Sequence, residues 1–165
     1  MNGLSPYWLV AAASVVALAA AIWGTRHWIK RRRLHEAKRA MREFRLRREQ
    51  LEAKFYDLAR LSGKPKGLRW IDCEWQNSVR FARQIDNNLL TAFVGVNIRF
   101  EAIEGEDMEG VAAVETIRDA CAVFHYRVGR WGTGGRALFN MNPQEAVDKL
   151  HDQFIPVATE ITTVA

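Results

Sequence analysis

The chain changes within one helical turn from an apolar stretch to a strongly basic one. Residues 1 to 25 carry no charged side chain, whereas residues 26 to 48 hold eleven Lys/Arg residues against two acids, a local charge of +9. The remaining residues, 49 to 165, hold thirteen basic and seventeen acidic side chains, a charge of −4. The overall charge of +5 therefore belongs to one segment, and it does not by itself indicate a nucleic-acid-binding domain.

The apolar stretch has the length and the flanking residues of a transmembrane helix. It reads YWLVAAASVVALAAAIW from Tyr7 to Trp23. As a helix, the stretch from Trp8 to Trp28 spans about 30 Å, the thickness of a hydrocarbon core. Trp and Tyr favour the headgroup level on both sides of a bilayer. We therefore predict a transmembrane helix over residues 7 to 28. Its interfacial anchors are Tyr7, Trp8, Trp23 and Trp28.

Two alternatives explain this stretch less well. A cleavable signal peptide carries positive charge before its apolar run, and here only the terminal amine provides it. A buried soluble helix would leave the basic cluster and the bracketing aromatic residues unexplained. Because an excess of Lys/Arg marks the cytoplasmic side, we expect residues 1 to 6 outside the cell membrane and the chain from Arg26 onward in the cytoplasm.

The first basic residues after the predicted span lie close enough to an anionic leaflet to contact its headgroups. They are Arg26, Lys30, Arg31, Arg32 and Arg33. At about 1 kcal/mol for each basic residue, they would stabilise the helix exit by a few kcal/mol. An upright helix would carry Arg48 about 30 Å beyond Trp28, out of electrostatic range of the bilayer. The later basic residues therefore either return to the surface, remain solvated or meet an acidic partner.

Residues 29 to 62 show the periodicity of a basic, coiled-coil-like amphipathic helix. Apolar residues recur at alternating steps of three and four, with Arg48 in the one gap. This stripe comprises Leu34, Ala37, Met41, Phe44, Leu51, Phe55 and Leu58. It is typical of a homodimer through residues 34 to 58, of packing on the chain's own globular domain, or of contact with the membrane surface. Gly63 and Pro65 suit a helix end, which makes residues 63 to 67 a linker.

Beyond the linker, the pattern changes from helical to alternating. Residues 68 to 75 and 78 to 85 are predicted as two short strands, and Asp86-Asn87-Asn88 as a turn. The next strand, LLTAFVGVNIRFEAI, alternates apolar and polar side chains, which indicates one buried face. Two more strands are predicted in DACAVFHYRV and RWGTGGRALFNM, joined by a turn near Gly129.

The last predicted element has a strong helix start. Asn142 is a typical cap, Pro143 suits the first helical position, and Glu145 lies three residues past the cap. The stripe that this helix would bury is Ala146, Val147, Leu150 and Phe154, with Pro156 closing the helix.

These patterns together predict an α+β fold. An N-terminal transmembrane helix and a long basic juxtamembrane helix precede an antiparallel sheet of about five strands with a C-terminal helix. Residues 68 to 156 would form the cytoplasmic domain, and residues 157 to 165 a flexible tail.

Three stretches of the chain resemble a family of small, uncharacterised bacterial membrane-anchored proteins. They are ARLSGKPKGLRWIDCEW, VNIRFEAIEGEDMEGV and FHYRVGRWGTGGRALFNMNP, and the resemblance covers roughly residues 55 to 155. That family has no assigned activity. The resemblance therefore implies one folded unit and supplies no catalytic residue.

No spacing in the chain matches a catalytic set, and we predict no catalytic residue, metal site or cofactor. Cys73 and Cys121 lie on different predicted strands without a CxxC pair, as expected of reduced core residues. Cys121 and His125 would lie about 13 Å apart on one strand face, too far to share a zinc ion. The acidic loop, residues 104 to 109, lacks the EF-hand order, and the sequence does not decide whether it binds a metal.

Two functions from different classes follow. The first is a protein-interaction module at the inner face of the membrane, which binds a protein partner through an exposed sheet edge or an apolar groove. The alternative is a small-ligand-binding or enzymatic domain with a pocket near Arg99, His125, Trp131 and Arg136. The expected partners are thus the lipid bilayer and a protein. Nucleic acid is the least expected partner, because the basic stretch already has a topological explanation.

Overall fold

The computed structural model describes residues 6–62, 66–105, 109 and 118–158, with side chains described from residue 12 onward. Its helices are α1 (Pro6–Leu46), α2 (Arg48–Leu61) and α3 (Pro143–Lys149). Its strands are β1 (Leu68–Gln84), β2 (Leu90–Ala102), β3 (Arg118–Arg127), β4 (Arg130–Gly132), β5 (Ala137–Phe139) and β6 (Phe154–Pro156). Several predictions fall outside the described residues: the first five residues, Gly63 and Pro65 of the linker, part of the acidic loop and most of the tail.

The chain divides into two compact units, Met1–Arg42 and Glu43–Ala165. Of the described residues, the first unit contains α1 up to Arg42. This helix starts at Pro6 and continues without a break through residues 28 and 29, where two predicted helices met. The large aliphatic side chains of its apolar stretch are exposed: Val15, Val16, Leu18 and Ile22. Within the described residues, no helix combines the length and the apolarity needed to cross a membrane.

The second unit begins with the end of α1 and with α2. Arg47, with φ −107° and ψ 12°, separates the two helices. Backbone hydrogen bonding nevertheless continues across it, because the Arg47 N–H donates to the Glu43 carbonyl at 3.1 Å and the Leu51 N–H donates to the Arg47 carbonyl at 3.0 Å. We call residues 43 to 61 the helical arm.

The sheet is antiparallel, as predicted, with six strands rather than about five. Its order is β4-β3-β2-β1-β6, and β5 pairs with β3. The two strands predicted at residues 68 to 75 and 78 to 85 form the single strand β1. A shift in the pairing with β2 between Trp75 and Val79 connects them, so the polar residues between the two segments do not end the strand.

The C-terminal helix starts as predicted and ends earlier. The Asn142 side chain accepts from the Glu145 N–H at 2.9 Å, and the Glu145 carboxylate accepts from the Asn142 N–H at 3.3 Å, a complete capping box. The helix ends at Lys149, and Phe154 lies in β6 rather than on the helical stripe. Residues 154 to 156 pair with β1 and do not form the last predicted turn of the helix. Phe154 is buried in this paired segment.

An aromatic cluster joins the helical arm to one face of the sheet. The ring centroid of Phe44 lies 4.9 Å from that of Trp131 and 5.5 Å from that of Phe124. The ring centroid of Phe55 lies 5.8 Å from that of Phe124 and 5.4 Å from that of Trp75. Phe44, Phe55 and Phe124 are fully buried. At about 3–5 kcal/mol for truncating a buried Phe to Ala, these contacts are a main source of stability.

The opposite face of the sheet packs on α3. Ala146 and Val147 of the helix share a buried cluster with Phe93, Cys121 and Val123. Successive side chains on a strand point to opposite faces, so Val123 faces α3 while Phe124 faces the helical arm. The strand β3 is consequently buried on both faces.

Part of the predicted apolar stripe is therefore buried within the second unit. Phe44, Leu51 and Phe55 are buried in the second unit, whereas Leu34 in the first unit is exposed. From Phe44 onward the stripe packs on the chain's own domain. A homodimer through residues 34 to 58 stays a prediction, and it would have to leave these three side chains in place.

Gly135 lies where the segment between β4 and β5 passes closest to α2. Its φ is +72°, and a Cβ there would lie 2.6 Å from the Ala59 nitrogen and 2.8 Å from the Leu58 carbonyl carbon. The left-handed conformation and the close backbone contact both oppose a side chain.

We expect Gly135→Ala to lower the free energy of unfolding by about 2 kcal/mol or more, because strain and overlap add at one position. Urea denaturation of the full chain measures this change. Gly134→Ala is the matched control, since a Cβ there meets nothing within 4 Å, and it should change the free energy by less than about 0.5 kcal/mol. Equal effects of the two substitutions would contradict the close approach.

Candidate functional site: a groove at the open edge of β1

Strand β1 forms one edge of the sheet over most of its length. Ala82, Arg83 and Gln84 pair with β6. In the described ranges, no strand pairs with that same edge of β1 from Leu68 to Phe81. An uncovered edge presents backbone N–H and C=O groups that an added strand recognises.

Two side chains of the helical arm reach carbonyl oxygens of β1. The Tyr56 hydroxyl donates to the Ile71 carbonyl at 3.0 Å, and Arg48 Nη2 donates to the Gln76 carbonyl at 2.5 Å. Arg48 Nε also donates to Glu52 Oε1 at 2.6 Å, so the guanidinium is fixed on two sides. These bonds hold the helical arm beside the strand.

The irregular part of β1 depends on a glycine in β2. Residues 76 to 78 lie between the pairs Trp75–Val96 and Val79–Val94, opposite Gly95. A Cβ on Gly95 would overlap the Ser78 hydroxyl and lie 2.6 Å from Gln76 Oε1. The absence of a side chain at this position lets the polar residues fold over the strand, where Gln76 Nε2 donates to Asn97 Oδ1 at 2.8 Å.

A groove of about 640 Å³ lies beside this irregular segment. The end of α1 and the start of α2 form one wall, β1 from Gln76 to Phe81 forms the base, and the start of α3 forms the other wall. The apolar side chains that line it are Phe44, Val79, Phe81 and Pro143. All of these residues belong to the second unit.

Three guanidinium groups line the groove, those of Arg45, Arg48 and Arg80, and its lining contains no carboxylate. Arg80 Nε donates to Gln144 Oε1 at 2.7 Å, which ties β1 to α3. Arg45 is exposed, whereas Arg48 and Arg80 are half-buried. The groove therefore combines an apolar base with positive charge, an arrangement that suits an anionic ligand with apolar parts.

The structure brings together two of the four residues predicted to form a pocket. His125 and Trp131 line a second hollow of about 470 Å³, beside Arg127, Arg130 and Thr133. Arg99 lines a separate hollow of about 310 Å³ with Asp72, Glu74 and Asn97.

Arg136, the fourth predicted residue, is exposed and acts on His125 through its charge. Partial burial lowers the pKa of His125, and the positive charges of Arg136 and Arg127 lower it further. These effects favour the neutral form of the imidazole, whose Nδ1 lies 3.2 Å from the hydroxyl of the buried Thr91.

The predicted membrane-facing residues lie on α1. Trp23 and Trp28 are exposed, and so are Arg26 and Lys30 to Arg33. The Arg32 guanidinium lies 4.6 Å from the centroid of the Trp28 ring. Tyr7 and Trp8 are in the helix, and their side chains precede the described ones.

Neither cysteine nor the acidic loop contributes a metal site that the structure describes. Over the described ranges, no group of three or more His, Cys, Asp or Glu side chains is placed to hold a metal ion. Glu106 and Asp107 fall outside those ranges, and Glu109 accepts from the Gly105 N–H at 2.8 Å. Burial raises the pKa of Cys73 and of Cys121 to about 12, with the nearby Asp72 carboxylate adding to the effect at Cys73.

Sequence reasoning missed the groove because its parts are far apart in the chain. Arg45 is one of eleven basic residues between residues 26 and 48, and Arg80 is one of the polar residues in the strand predicted at residues 78 to 85. The one local signal is the polar pair Gln76-Asn77 between the strands predicted at residues 68 to 75 and 78 to 85. In the structure these residues belong to an irregularly paired part of the single strand β1.

Comparison with known protein families, with curated proteins and with solved structures finds no match to this chain.

Both thiols should resist modification in the folded chain. With a pKa of about 12, roughly one thiol in ten thousand is ionised at pH 8, against about one in four at the unperturbed value of 8.5. We expect alkylation of Cys73 and Cys121 by iodoacetamide at pH 8 to be at least 100-fold slower than in guanidinium-unfolded chain. Cys73→Ser assigns the rates to individual residues, and rapid alkylation of either native thiol would contradict the burial described.

Proposed function

We propose that this chain is a single-pass membrane-anchored protein whose cytoplasmic α+β domain binds a protein partner at the inner face of the membrane. The observation that carries the proposal is the open edge of β1 with an arginine-lined groove beside it. Edge strands recruit extended segments of other proteins through main-chain hydrogen bonds, and adjoining pockets supply specificity.

The anchor is supported by the chemistry of α1. The aliphatic residues between Tyr7 and Trp23 favour membrane insertion by roughly 2 to 4 kcal/mol, with no charged side chain to offset them. The exposed Val15, Val16, Leu18 and Ile22 would be costly in water and are suited to lipid. The apolar stretch extends N-terminally through residues 7 to 11, whose side chains precede the described ones, so this part of the proposal rests on the sequence.

The orientation follows from the charges. Residues 26 to 48 carry a charge of +9, which favours retention on the cytoplasmic side. Arg26, Lys30, Arg31, Arg32 and Arg33 would contact anionic headgroups there. Residues 49 to 165 have an acidic balance, a charge of −4, which disfavours their contact with the same headgroups.

A small-ligand or enzymatic function is the second candidate. The observation that favours it is the hollow in which His125, Thr133, Arg127 and Arg130 come together beside Trp131. The guanidinium groups of Arg127 and Arg130 supply positive charge and the imidazole supplies a hydrogen-bonding group, which suits a small anion. The groove is larger and lies at an open strand edge, and we therefore place the main function there.

Fractionation and protease accessibility test the anchor and its orientation. We expect the full chain in the membrane fraction, released by detergent and retained in high salt, because apolar insertion rather than surface charge holds it. Protease added to intact spheroplasts should leave the second unit undigested, and protease added to lysed cells should digest it. Soluble full-length chain, or digestion from outside, would contradict the proposed topology.

Photo-crosslinking in the cells that encode the chain tests the partner. A benzoylphenylalanine residue replaces Asn77 in the groove, Val128 at the β3–β4 turn, or Lys149 at the end of α3. We expect a discrete protein adduct from at least one of these exposed positions. If the full chain forms no protein adduct from any of them, the interaction function fails.

A further inference from the structure

We infer that the groove beside β1 receives an extended, acidic segment of the partner that carries both carboxylates and apolar side chains. This inference rests on the proposed interaction function. It adds the chemistry of the partner and the residues that recognise it.

The position of the groove favours an extended segment. Its base is the edge of β1 between Gln76 and Phe81, and the Gln76 carbonyl is already bonded by Arg48. The Phe81 carbonyl accepts from the Val157 N–H at 2.9 Å, which closes the other end. The stretch between them, residues 77 to 80, offers main-chain pairing to a segment of about four residues.

The charge of the groove favours carboxylates. Its lining holds three guanidinium groups and no acidic side chain. Each guanidinium has five N–H donors, and the described bonds of Arg80 use only Nε. Glu52 partly neutralises Arg48, so Arg45 and Arg80 carry most of the uncompensated positive charge.

The hydrogen bonds within the groove also reduce the cost of binding. Gln144 orients Arg80, while Glu52 and the Gln76 carbonyl orient Arg48. Side chains that are already ordered lose less rotamer freedom when a ligand arrives. Planar guanidinium groups held in this way suit carboxylates, which accept two parallel N–H bonds.

The apolar lining favours apolar side chains in the segment as well. Phe44, Val79, Phe81 and Pro143 line the groove together with the arginines. Phe44 and Arg45 lie on the wall formed by α1, whereas Arg80 is bonded to Gln144 on the wall formed by α3, which also carries Pro143. Because side chains of a paired strand point in two directions, both directions meet an apolar group and a guanidinium group.

A designed peptide tests this chemistry directly. The probe is a fluorescein-labelled peptide of four Glu-Val repeats, titrated by anisotropy against the full chain in zwitterionic lipid nanodiscs. We expect saturable binding that a Lys-Val peptide of equal length does not show. A Glu-Val peptide in which the central Val residues are replaced by Pro keeps the charge and loses strand pairing, and its affinity should fall at least tenfold.

Charge variants locate the binding. The double variant Arg45→Glu with Arg80→Glu should weaken Glu-Val binding at least tenfold. The matched control, Lys38→Glu with Arg39→Glu, makes the same charge change at exposed positions of the first unit and should weaken it less than threefold. Arg45→Glu alone, at an exposed position, keeps the test valid if the double variant unfolds. Equal losses in variant and control would show adventitious binding to the basic helix and overturn the inference.

Crosslinking separates failure of this inference from failure of the interaction function. The adduct from Asn77 should disappear in the Arg45→Glu, Arg80→Glu chain and persist in the Lys38→Glu, Arg39→Glu chain. Its crosslinked peptide should be rich in Asp and Glu. A protein adduct from Val128 or Lys149 but none from Asn77 would overturn the groove inference and leave the interaction function standing. A phosphorylated peptide or a lipid at Asn77 would also overturn it.

Discussion

The packing of Phe44 and Phe55 against Phe124 is the contact on which the rest of the domain depends. These three buried rings attach the helical arm to the centre of the sheet. Because the arm is fixed there, the exposed Arg45 and the half-buried Arg48 lie beside β1 and line the groove. The charged wall of the groove is thus a consequence of aromatic packing, and no local pattern of charge would produce it.

A second constraint acts from the opposite face of the sheet. The absence of a side chain at Gly95 lets Gln76 and Ser78 fold over β2, which interrupts the regular pairing of β1 where the groove lies. Irregular pairing next to an open edge creates a recess that contains polar main-chain groups. The same residue that permits the recess therefore also keeps β1 from being a flat, aggregation-prone edge.

The sequence predicted those elements whose signals are local. The period-two alternation in β2 identified a strand, although residues 90 to 96 are buried on both faces and not on one as predicted. The Asn142-Pro143-Glu145 pattern identified the start of α3, down to its capping box. The stripe containing Phe44, Leu51 and Phe55 predicted which helical face is buried, although it could not identify the surface that covers it. That choice depends on contacts between residues tens of positions apart, which periodicity does not encode.

Where sequence reasoning failed, a long-range pairing replaced a local preference. The helix α3 stops at Lys149, and Phe154 enters the core from β6 through pairing with β1. The predicted pocket is not a single site, because Arg99 on β2 lies in a different hollow from His125 on β3. Residues on neighbouring strands share a site only if the strand register places them side by side and their side chains point to the same face. The patterns of two separate strands do not give this register.

Amide hydrogen exchange of the full chain in nanodiscs tests most directly whether the edge of β1 is open beside a firmly packed arm. We expect the amides of residues 76 to 80 that face away from β2 to exchange at least 100-fold faster than those of Ala92 to Val96 and of the buried positions in α2. Equal protection of the β1 edge and the central strand would contradict the account, because another segment would then already occupy that edge.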